Sequence, residues 1–158
     1  GGVVMNEAVG AIFLSKSTGH MMLNLRSERS TYSNNWAFVG GKLEYNETPL
    51  QGLMREIKEE LGDSIPTIID IIPFDVFCTK NGKFKYYSFV IVVENEFVPT
   101  LNHESSGYAW VKIGSWPKPL HPGAKNTLLN ANLMKDFYSL WESIRQGTQF
   151  VNSLPYRY

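Results

Sequence analysis

Three glutamates that lie close together in the chain have the spacing for metal chemistry: Glu56, Glu59 and Glu60. On an α-helix, which turns about 100° per residue, their side chains point into one arc of about 100°. Like charges at these spacings destabilise a helix by about 0.2–0.5 kcal/mol per pair, and Arg55 can offset part of that repulsion through Glu59. A divalent cation would turn the repulsion into coordination, because carboxylate oxygens suit Mg²⁺ or Mn²⁺. The spacing is therefore compatible with a metal site, although on spacing alone three such glutamates more often form a solvated helix face.

The element that must position these glutamates is a helix with clear end signals. Thr48 is a preferred N-cap residue, Pro49 suits the first helical position, and Gln51 completes a capping box with Thr48. Gly62 is the residue type that ends a helix in the left-handed conformation. We predict a helix of about thirteen residues between these signals. Its apolar face should lie roughly opposite the three glutamates and comprise Leu50, Leu53, Ile57 and Leu61.

Negative charge is concentrated around this predicted helix. The whole chain has 15 Lys+Arg and 15 Asp+Glu, whereas residues 41–63 contain six acids and three bases. That window has a net charge of −3, and the remainder has +3. Zero net charge and the absence of a basic run argue against a field that would draw the whole chain to nucleic acid or to a membrane. We therefore expect neither nucleic acid nor a membrane as a partner.

Residues 41–62 resemble the Nudix box, G-x5-E-x7-R-E-U-x-E-E-x-G-U, in which U is a bulky aliphatic residue; they read GKLEYNETPLQGLMREIKEELG. Eight of the nine specified positions match. The chain departs from the family at Asp63, which occupies the last U position, and at Val39, where many members have proline. Both departures concern the loops and leave the acidic positions intact. By this motif the chain is identified as a member of the Nudix hydrolase family, similar to MutT.

The resemblance implies a fold and a metal site. The fold would be α/β (α+β), a Nudix-like mixed β-sheet sandwiched between α-helices, and residues 1–158 would form a single domain. By position in the motif, Glu56, Glu59 and Glu60 would bind Mg²⁺ or Mn²⁺. The backbone carbonyl of Gly41 would be a further ligand.

The resemblance also implies a reaction, the hydrolysis of a nucleoside diphosphate linked to a group X. The substrate would be a nucleotide sugar, ADP-ribose, a dinucleotide or a (d)NTP. Bound cations neutralise phosphate oxygens and lower the pKa of a coordinated water in such reactions. The proton acceptor would be a box glutamate, Glu59 or Glu60, or else Glu104 from a later loop. Arg55 and Glu47 would pair to hold the box loop against the helix.

Five residues before the box are candidates for substrate binding. Arg26 ends a predicted strand and Arg29 follows it, so either could bind a phosphate or be a surface cation. Tyr32, Trp36 and Phe38 could stack on a base, although aromatic residues in a short strand more often belong to the core. Of these, the predicted substrate-binding set comprises Arg26, Arg29, Trp36 and Phe38.

Several other side chains are given no role in the site. His103 and His121 lie in loops too far apart in sequence to suggest a metal pair, and we expect both to be incidental. Tyr86 and Tyr87 alternate along a predicted strand, so at most one of them can face a ligand. We expect Cys78, the single cysteine, to be a small buried residue in a strand.

Three alternative functions stay open. A non-catalytic module could keep the fold and sense a nucleotide, but such modules can lose box glutamates that this chain retains. Arg29 and the region of Trp36 are similar to GDP-mannose hydrolases, although those enzymes have a degenerate box. RNA decapping is disfavoured, because the chain shows no basic stripe interleaved with aromatic residues.

The remaining chain predicts strands and a second helix. A polar turn at residues 17–20 and the dipeptide Asn81-Gly82 each separate two β-rich segments, which indicates two hairpins. The short strand before the box should end in a turn at Gly40 and Gly41. Strands and helices alternate irregularly, which favours a mixed sheet covered by helices. The predicted strands are Ala8–Leu14, Met21–Arg26, Trp36–Val39, Ile68–Thr79, Lys83–Val93 and Tyr108–Ile113, and the second helix is Ala124–Arg145.

Location and assembly are predicted from few features. One cysteine fits a reducing compartment, and the chain starts without the charged and apolar regions of a signal peptide. Its apolar stretches fall far short of the ~20 residues that a spanning helix needs. We therefore expect a cytoplasmic protein. Met134 and Trp141 on the second helix are expected in the core, with a homodimer surface as the alternative.

Overall fold

The computed structural model describes residues 6–153, with the side chains of residues 6–147. In this part of the chain seven strands form one sheet and three helices cover it. A 3-10 turn at Gly62–Ser64 follows the first helix. In chain order the elements are β1 (Asn6–Ser15), β2 (Met21–Arg26), β3 (Trp36–Ala37), β4 (Val39–Lys42), α1 (Pro49–Leu61), β5 (Ile68–Cys78), β6 (Phe84–Val93), β7 (Ser105–Val111), α2 (Pro122–Leu128) and α3 (Ala131–Ser153).

Strand β1 is the centre of the sheet. It pairs in parallel with β6 along its whole length, from Asn6 to Ser15. On its other edge, β4 pairs antiparallel with the first half of β1, and β2 pairs antiparallel only with Phe13 and Leu14. β2 continues the sheet to β3 and β7, and β5 pairs with the far edge of β6. The predicted mixed sheet is confirmed, but the first hairpin pairs over only two residues of each strand.

The glycines of β4 explain why the first hairpin separates. Gly40 and Gly41 pair with Gly10 and Val9 of β1, so the strand continues through the two glycines and does not end there as predicted. A Cβ on Gly40 would collide with the carbonyl oxygen of Val9. Because glycine has no Cβ, β4 can approach β1 this closely and occupy the edge along which β2 would otherwise extend.

Helices cover both faces of the sheet, so β1 is buried on both sides. Side chains alternate along a strand, and Val9, Ala11 and Phe13 accordingly join the core cluster that includes the apolar residues of α1. Ile12 and Leu14 point the other way and join the cluster that includes residues of α2 and α3. This layering confirms the predicted sheet between helices.

Helix α1 begins and ends as predicted, but it buries a different stripe. Thr48 Oγ1 accepts a hydrogen bond from Gln51 N, and the Gln51 side chain accepts one from Thr48 N, which completes the capping box of a 13-residue helix. Leu50 is 47% exposed, whereas Glu56 and Glu60 are buried. The prediction that the glutamates lie opposite the buried face is therefore wrong for these two, because β4 leaves room for their carboxylates under the helix.

The predicted second helix consists of two helices, α2 and α3. Oδ1 of Asn130 accepts a hydrogen bond from Leu133 N, so Asn130 caps α3 and interrupts the helix that the apolar periodicity predicted. Met134 and Trp141 are partly buried against the core, as expected. The indole N–H of Trp141 also donates to the carbonyl of Gly19 at 2.9 Å, which attaches α3 to the turn between β1 and β2.

The later strands agree with the prediction except at their ends. The hairpin of β5 and β6 turns at Gly82, which has a φ of 70°. β7 begins at Ser105 rather than Tyr108. The prediction that Cys78 is buried is wrong, because Cys78 ends an edge strand and is exposed.

Among residues 6–153, no helix has both the length and the apolar character to cross a membrane.

Candidate active site

Three carboxylates converge where α1, β4 and the loop before β7 meet. Glu56 and Glu60 lie on α1, and Glu104 immediately precedes β7. One oxygen atom from each carboxylate lies within 4.8 Å of the other two. Oε2 of Glu60 also accepts a hydrogen bond from the backbone N–H of Gly40 at 2.8 Å. We call Glu56, Glu60 and Glu104 the acidic cluster.

The acidic cluster needs a glycine where it meets the sheet. A Cβ on Gly41 would lie 2.6 Å from Oε1 of Glu56, so the carboxylate occupies the space of a side chain at residue 41. The role of the Gly41 carbonyl as a metal ligand stays a prediction. The structure places Gly41 next to the carboxylate of Glu56, one of the predicted metal ligands.

Burial makes the acidic cluster unfavourable as three free anions. Burial, followed by repulsion from Glu56 and Glu104, raises the pKa of Glu60 from 4.5 to about 9. Burial also raises the pKa of Glu56, and the hydrogen bond from Arg55 opposes only part of that shift. A divalent cation would remove the repulsion, and Mg²⁺ and Mn²⁺ prefer carboxylate oxygens. The donor set and its burial therefore fit such a cation.

Arg55 connects the box loop to α1 and to the acidic cluster. Its Nε and Nη2 donate to the two oxygens of Glu47 at 2.6 and 2.9 Å. Its Nη2 also donates to the carbonyl of Lys42, and its Nη1 donates to Oε1 of Glu56 at 2.9 Å. The hydrogen bond from Arg55 is the main reason that the pKa of Glu47 falls to about 2. The structure thus brings Arg55 and Glu47 together, and the same guanidinium orients a cluster carboxylate.

Glu59 lies outside the acidic cluster, unlike the other two predicted glutamate ligands. Its side chain is 54% exposed, and its Oε2 lies 3.3 Å from Nη1 of Arg55. Its predicted role as a metal ligand and proton acceptor stays a prediction. Sequence spacing alone does not separate Glu59 from its neighbours, because all three share one arc of the helix.

A cavity of about 380 Å³ opens beside the acidic cluster. Arg26 and Arg29, the predicted phosphate-binding residues, line it together with Glu56 and Glu104. Thr31 holds the guanidinium of Arg26, because Nε donates to its carbonyl at 2.6 Å and Nη2 donates to its Oγ1 at 3.0 Å. Two cations and two cluster carboxylates therefore share this cavity.

A second cavity, of about 830 Å³, adjoins the first and shares Arg26 and residues 40–42 with it. Phe38 lines this larger cavity, as does Tyr32. Trp36 lines neither cavity and packs against the core under α2 and α3. Of the three aromatic residues predicted to stack on a base, Tyr32 and Phe38 border this cavity and Trp36 does not.

His121 borders the larger cavity and is not incidental. Its Nδ1 accepts a hydrogen bond from Gly123 N at 3.0 Å and so caps α2, and its ring packs edge-on against Tyr32 with centroids 4.9 Å apart. Burial lowers the pKa of His121, which favours the neutral ring that this hydrogen bond requires. The sequence contains a signal for the capping role of His121, because proline at residue 122 is typical of the first position of a helix.

Tyr86 is a further lining residue to which the sequence assigned no definite place, as is His103 in the smaller cavity. Its hydroxyl occupies the place of a Cβ on Gly10 and lines the larger cavity. Tyr87 instead donates to Glu7 Oε1 at 3.1 Å. The alternation of the strand allowed one of the two tyrosines to face a ligand, and only the packing of β6 against β1 shows that it is Tyr86.

The chain and its fold have known relatives. The NUDIX domain family matches residues 5–131. The chain is 50% identical over 42 residues to an 8-oxo-dGTP diphosphatase of Proteus vulgaris, and this match covers 25% of the chain and 38% of that relative's length. It is 32% identical over 111 residues to the nucleoside triphosphatase NudI of Klebsiella pneumoniae (strain 342), which covers 63% of the chain and 77% of NudI.

The fold is similar to that of the MutT NUDIX hydrolase from Burkholderia pseudomallei. The TM-score is 0.60 with 22% identity, over 80% of this chain and 97% of that one. At this identity the likeness concerns the fold alone. The family match covers most of the chain and includes all three residues of the acidic cluster. The chain therefore belongs to the Nudix family.

Proposed function

We propose that this protein hydrolyses a phosphoanhydride bond of a nucleotide in a reaction that requires Mg²⁺ or Mn²⁺. The observation that carries the proposal is the position of the acidic cluster beside two adjoining cavities. The larger cavity has the size and aromatic lining of a small-molecule site. The smaller one has two arginines that suit phosphates. A nucleotide spanning both cavities would bring its phosphates to the acidic cluster.

The residues that would hold the metal are Glu56, Glu60 and Glu104, with Glu59 and the Gly41 carbonyl as further ligands implied by the motif. A bound cation supplies charge neutralisation at the phosphate and a lower pKa for a coordinated water. These residues offer the hard oxygen ligands that such cations prefer, on α1, on β4 and in the loop before β7.

Other residues around the cavities bind the substrate and accept the proton of the attacking water. Arg26, held by Thr31, and Arg29 bind phosphate oxygens in the smaller cavity. Phe38 packs against the nucleoside in the larger cavity. Glu104 is the exposed member of the acidic cluster, and it accepts the proton of the attacking water. Its exposure lets it exchange that proton with solvent.

A (d)NTP is the substrate class that we favour. The two relatives described above are named as an 8-oxo-dGTP diphosphatase and a nucleoside triphosphatase. Nucleotide sugars, ADP-ribose and dinucleotides are the other candidates, and the intact box disfavours a GDP-mannose hydrolase. A non-catalytic nucleotide sensor would bind the same compounds without forming product.

We further propose that residues 1–158 act as one domain in the cytoplasm, and that a homodimer is the assembly to test by light scattering.

The test is a screen of (d)NTPs, nucleotide sugars, ADP-ribose and dinucleotides with Mg²⁺ and product identification. We expect a (d)NTP to be hydrolysed and chelation of the metal to stop the reaction.

Glu60→Gln should lower turnover about 100-fold and keep the circular dichroism spectrum of the fold. Glu142→Gln, on the exposed surface of α3, is the matched control and should behave as wild type. Full turnover in Glu60→Gln would contradict the site, and nucleotide binding without product would favour a sensor.

A further inference from the structure

One side chain connects the loop of Glu104 to the helix of the acidic cluster. Nδ2 of Asn102 donates to the backbone carbonyl of Glu59 at 3.1 Å, and Oδ1 of the same amide accepts from the backbone N–H of Glu104 at 2.9 Å. In the described part of the chain, no other hydrogen bond joins residues 94–104 to α1. The Asn102 amide therefore bridges two parts of the site that are far apart in sequence.

The bond to Glu59 uses a carbonyl that α1 leaves available. The last four carbonyls of an α-helix lack partners within the helix. In α1 the Gly62 N–H reaches the carbonyl of Lys58, and Asn102 reaches that of Glu59. Asn102 is only half-buried, so water can replace its amide at this carbonyl. Loss of the side chain should therefore disturb the loop more than the helix.

Glu104 has few other restraints. Its side chain is exposed and makes no hydrogen bond or ion pair with any residue that the structure describes. Its backbone carbonyl accepts hydrogen bonds from Ser27 N at 2.9 Å and from Ser30 Oγ at 3.2 Å, in the loop that carries Arg29. The two serines therefore hold Glu104 to the phosphate side of the site, and Asn102 holds it to the helix side.

We propose that Asn102 is a positioning residue, whose amide sets the place of Glu104 relative to Glu56 and Glu60. The inference rests on the proposed function, because it gives Asn102 a task in the metal site of that reaction. Residues that orient ligands without touching the metal often change metal affinity or activity by about 10–100-fold when they are replaced. Without the amide, Glu104 keeps its contacts with the two serines and its connection to β7, but it loses its hydrogen-bonded link to the helix that carries Glu56 and Glu60.

The first test compares Asn102→Ala with Asn95→Ala. Asn95 is exposed in the same loop, and its side chain makes no hydrogen bond among the described residues. We expect Asn102→Ala to lower Mn²⁺ affinity, measured by calorimetry without nucleotide, and kcat by about 10–100-fold. KM for the nucleotide should stay within about threefold, and Asn95→Ala should match wild type. Wild-type Mn²⁺ affinity and kcat in Asn102→Ala would overturn the proposal.

A double-mutant cycle separates positioning from a general loss of stability. If Asn102 acts through Glu104, the double variant of Asn102→Ala and Glu104→Ala should bind Mn²⁺ as Glu104→Ala alone does. A further loss of the same factor in the Glu104→Ala background would show that Asn102 acts on the whole fold, and would overturn the proposal.

The two proposals fail separately in these experiments. If wild type turns over no nucleotide but binds Mn²⁺, the proposed function fails while the binding cycle still decides on Asn102. If wild type is active and Asn102→Ala equals Asn95→Ala in every measurement, only the proposal on Asn102 fails. Absence of Mn²⁺ binding by wild type would overturn both.

Discussion

Arg55 is the residue whose contacts organise the acidic end of the site. It makes a bidentate pair with Glu47 and a separate hydrogen bond to Glu56, and a planar guanidinium with five donors can do both at once. A lysine has no such fork and would lose one of these contacts. The arginine of the motif therefore joins loop, helix and cluster through a single side chain.

The pair of Arg55 and Glu47 should make stability depend on pH. The pKa of Glu47 is about 2 in the folded protein against 4.5 for an ordinary glutamate. A lowered folded pKa adds stability above the ordinary pKa, and this contribution is lost as the pH falls towards 2. Wild type should therefore be more stable than Glu47→Gln at neutral pH, and the difference should shrink as the pH falls between those two values. Urea midpoints followed by circular dichroism measure it.

Glu142→Gln is the control for this pH series, because Glu142 is exposed on α3. Its midpoint should follow that of wild type across the series. A difference between wild type and Glu47→Gln that does not change with pH would contradict the role given to the ionised pair.

At the scale of elements, the contact between α1 and β4 differs from ordinary helix-on-sheet packing. Next to the apolar contacts of Leu53 and Ile57, the helix buries two carboxylates against strand backbone. Burying charge is costly unless partners compensate it. Here the compensation comes from Gly40 N–H, from Arg55 and, in the proposed function, from a cation. The glycines of β4 are therefore part of the site as well as of the sheet.

Gly41→Ala should damage the metal site with little effect on the fold. The added Cβ would lie 2.6–2.8 Å from the carboxylate atoms of Glu56, so this side chain must move. We expect Mn²⁺ affinity, measured by calorimetry, to fall about 10-fold or more. Gly107→Ala is the matched control, because a Cβ there would meet Leu25 at 3.8 Å, an ordinary contact. Equal Mn²⁺ affinities in the two variants would contradict the close approach of Glu56 to β4.

At the scale of the whole molecule, the sheet separates two cores that serve different parts of the site. The core on one face supports α1 and the acidic cluster, and the other supports α2 and α3. α2 supplies part of the wall of the larger cavity, through residues such as Asn126 and Thr127. The shape of the larger cavity therefore depends on the packing of α2 and α3.

Phe137→Ala should lower the free energy of unfolding by about 3–5 kcal/mol. Phe137 is 1% exposed in the core under α2 and α3, and its ring packs edge-on against Phe74 at 5.7 Å. Its neighbour Tyr138 is 44% exposed, so Tyr138→Ala should change the same quantity by only about 0.5 kcal/mol. Urea unfolding measures both, and similar losses in the two variants would contradict the docking of α3 through Phe137.

Features that depend on near neighbours in the chain were predictable. Thr48, Gln51 and Gly62 bound α1 as expected, because capping involves residues within one turn. The hairpin at Asn81-Gly82 follows from its turn residues. The continuous helix across Asn130 was predicted wrongly, because apolar periodicity does not reveal a side chain that caps the next helix.

By itself the sequence identified the family and the acidic helix, because these follow from residue types at short, regular spacings. The resemblance to the family then implied the pair of Arg55 and Glu47. Only the tertiary structure decided which carboxylates converge, with Glu104 beside Glu56 and Glu60 and with Glu59 apart. It also decided that Tyr86 faces the larger cavity. The reason is physical: β4 inserts beside β1 and the loop before β7 folds back to α1, and contacts over such separations leave no periodic pattern in the chain.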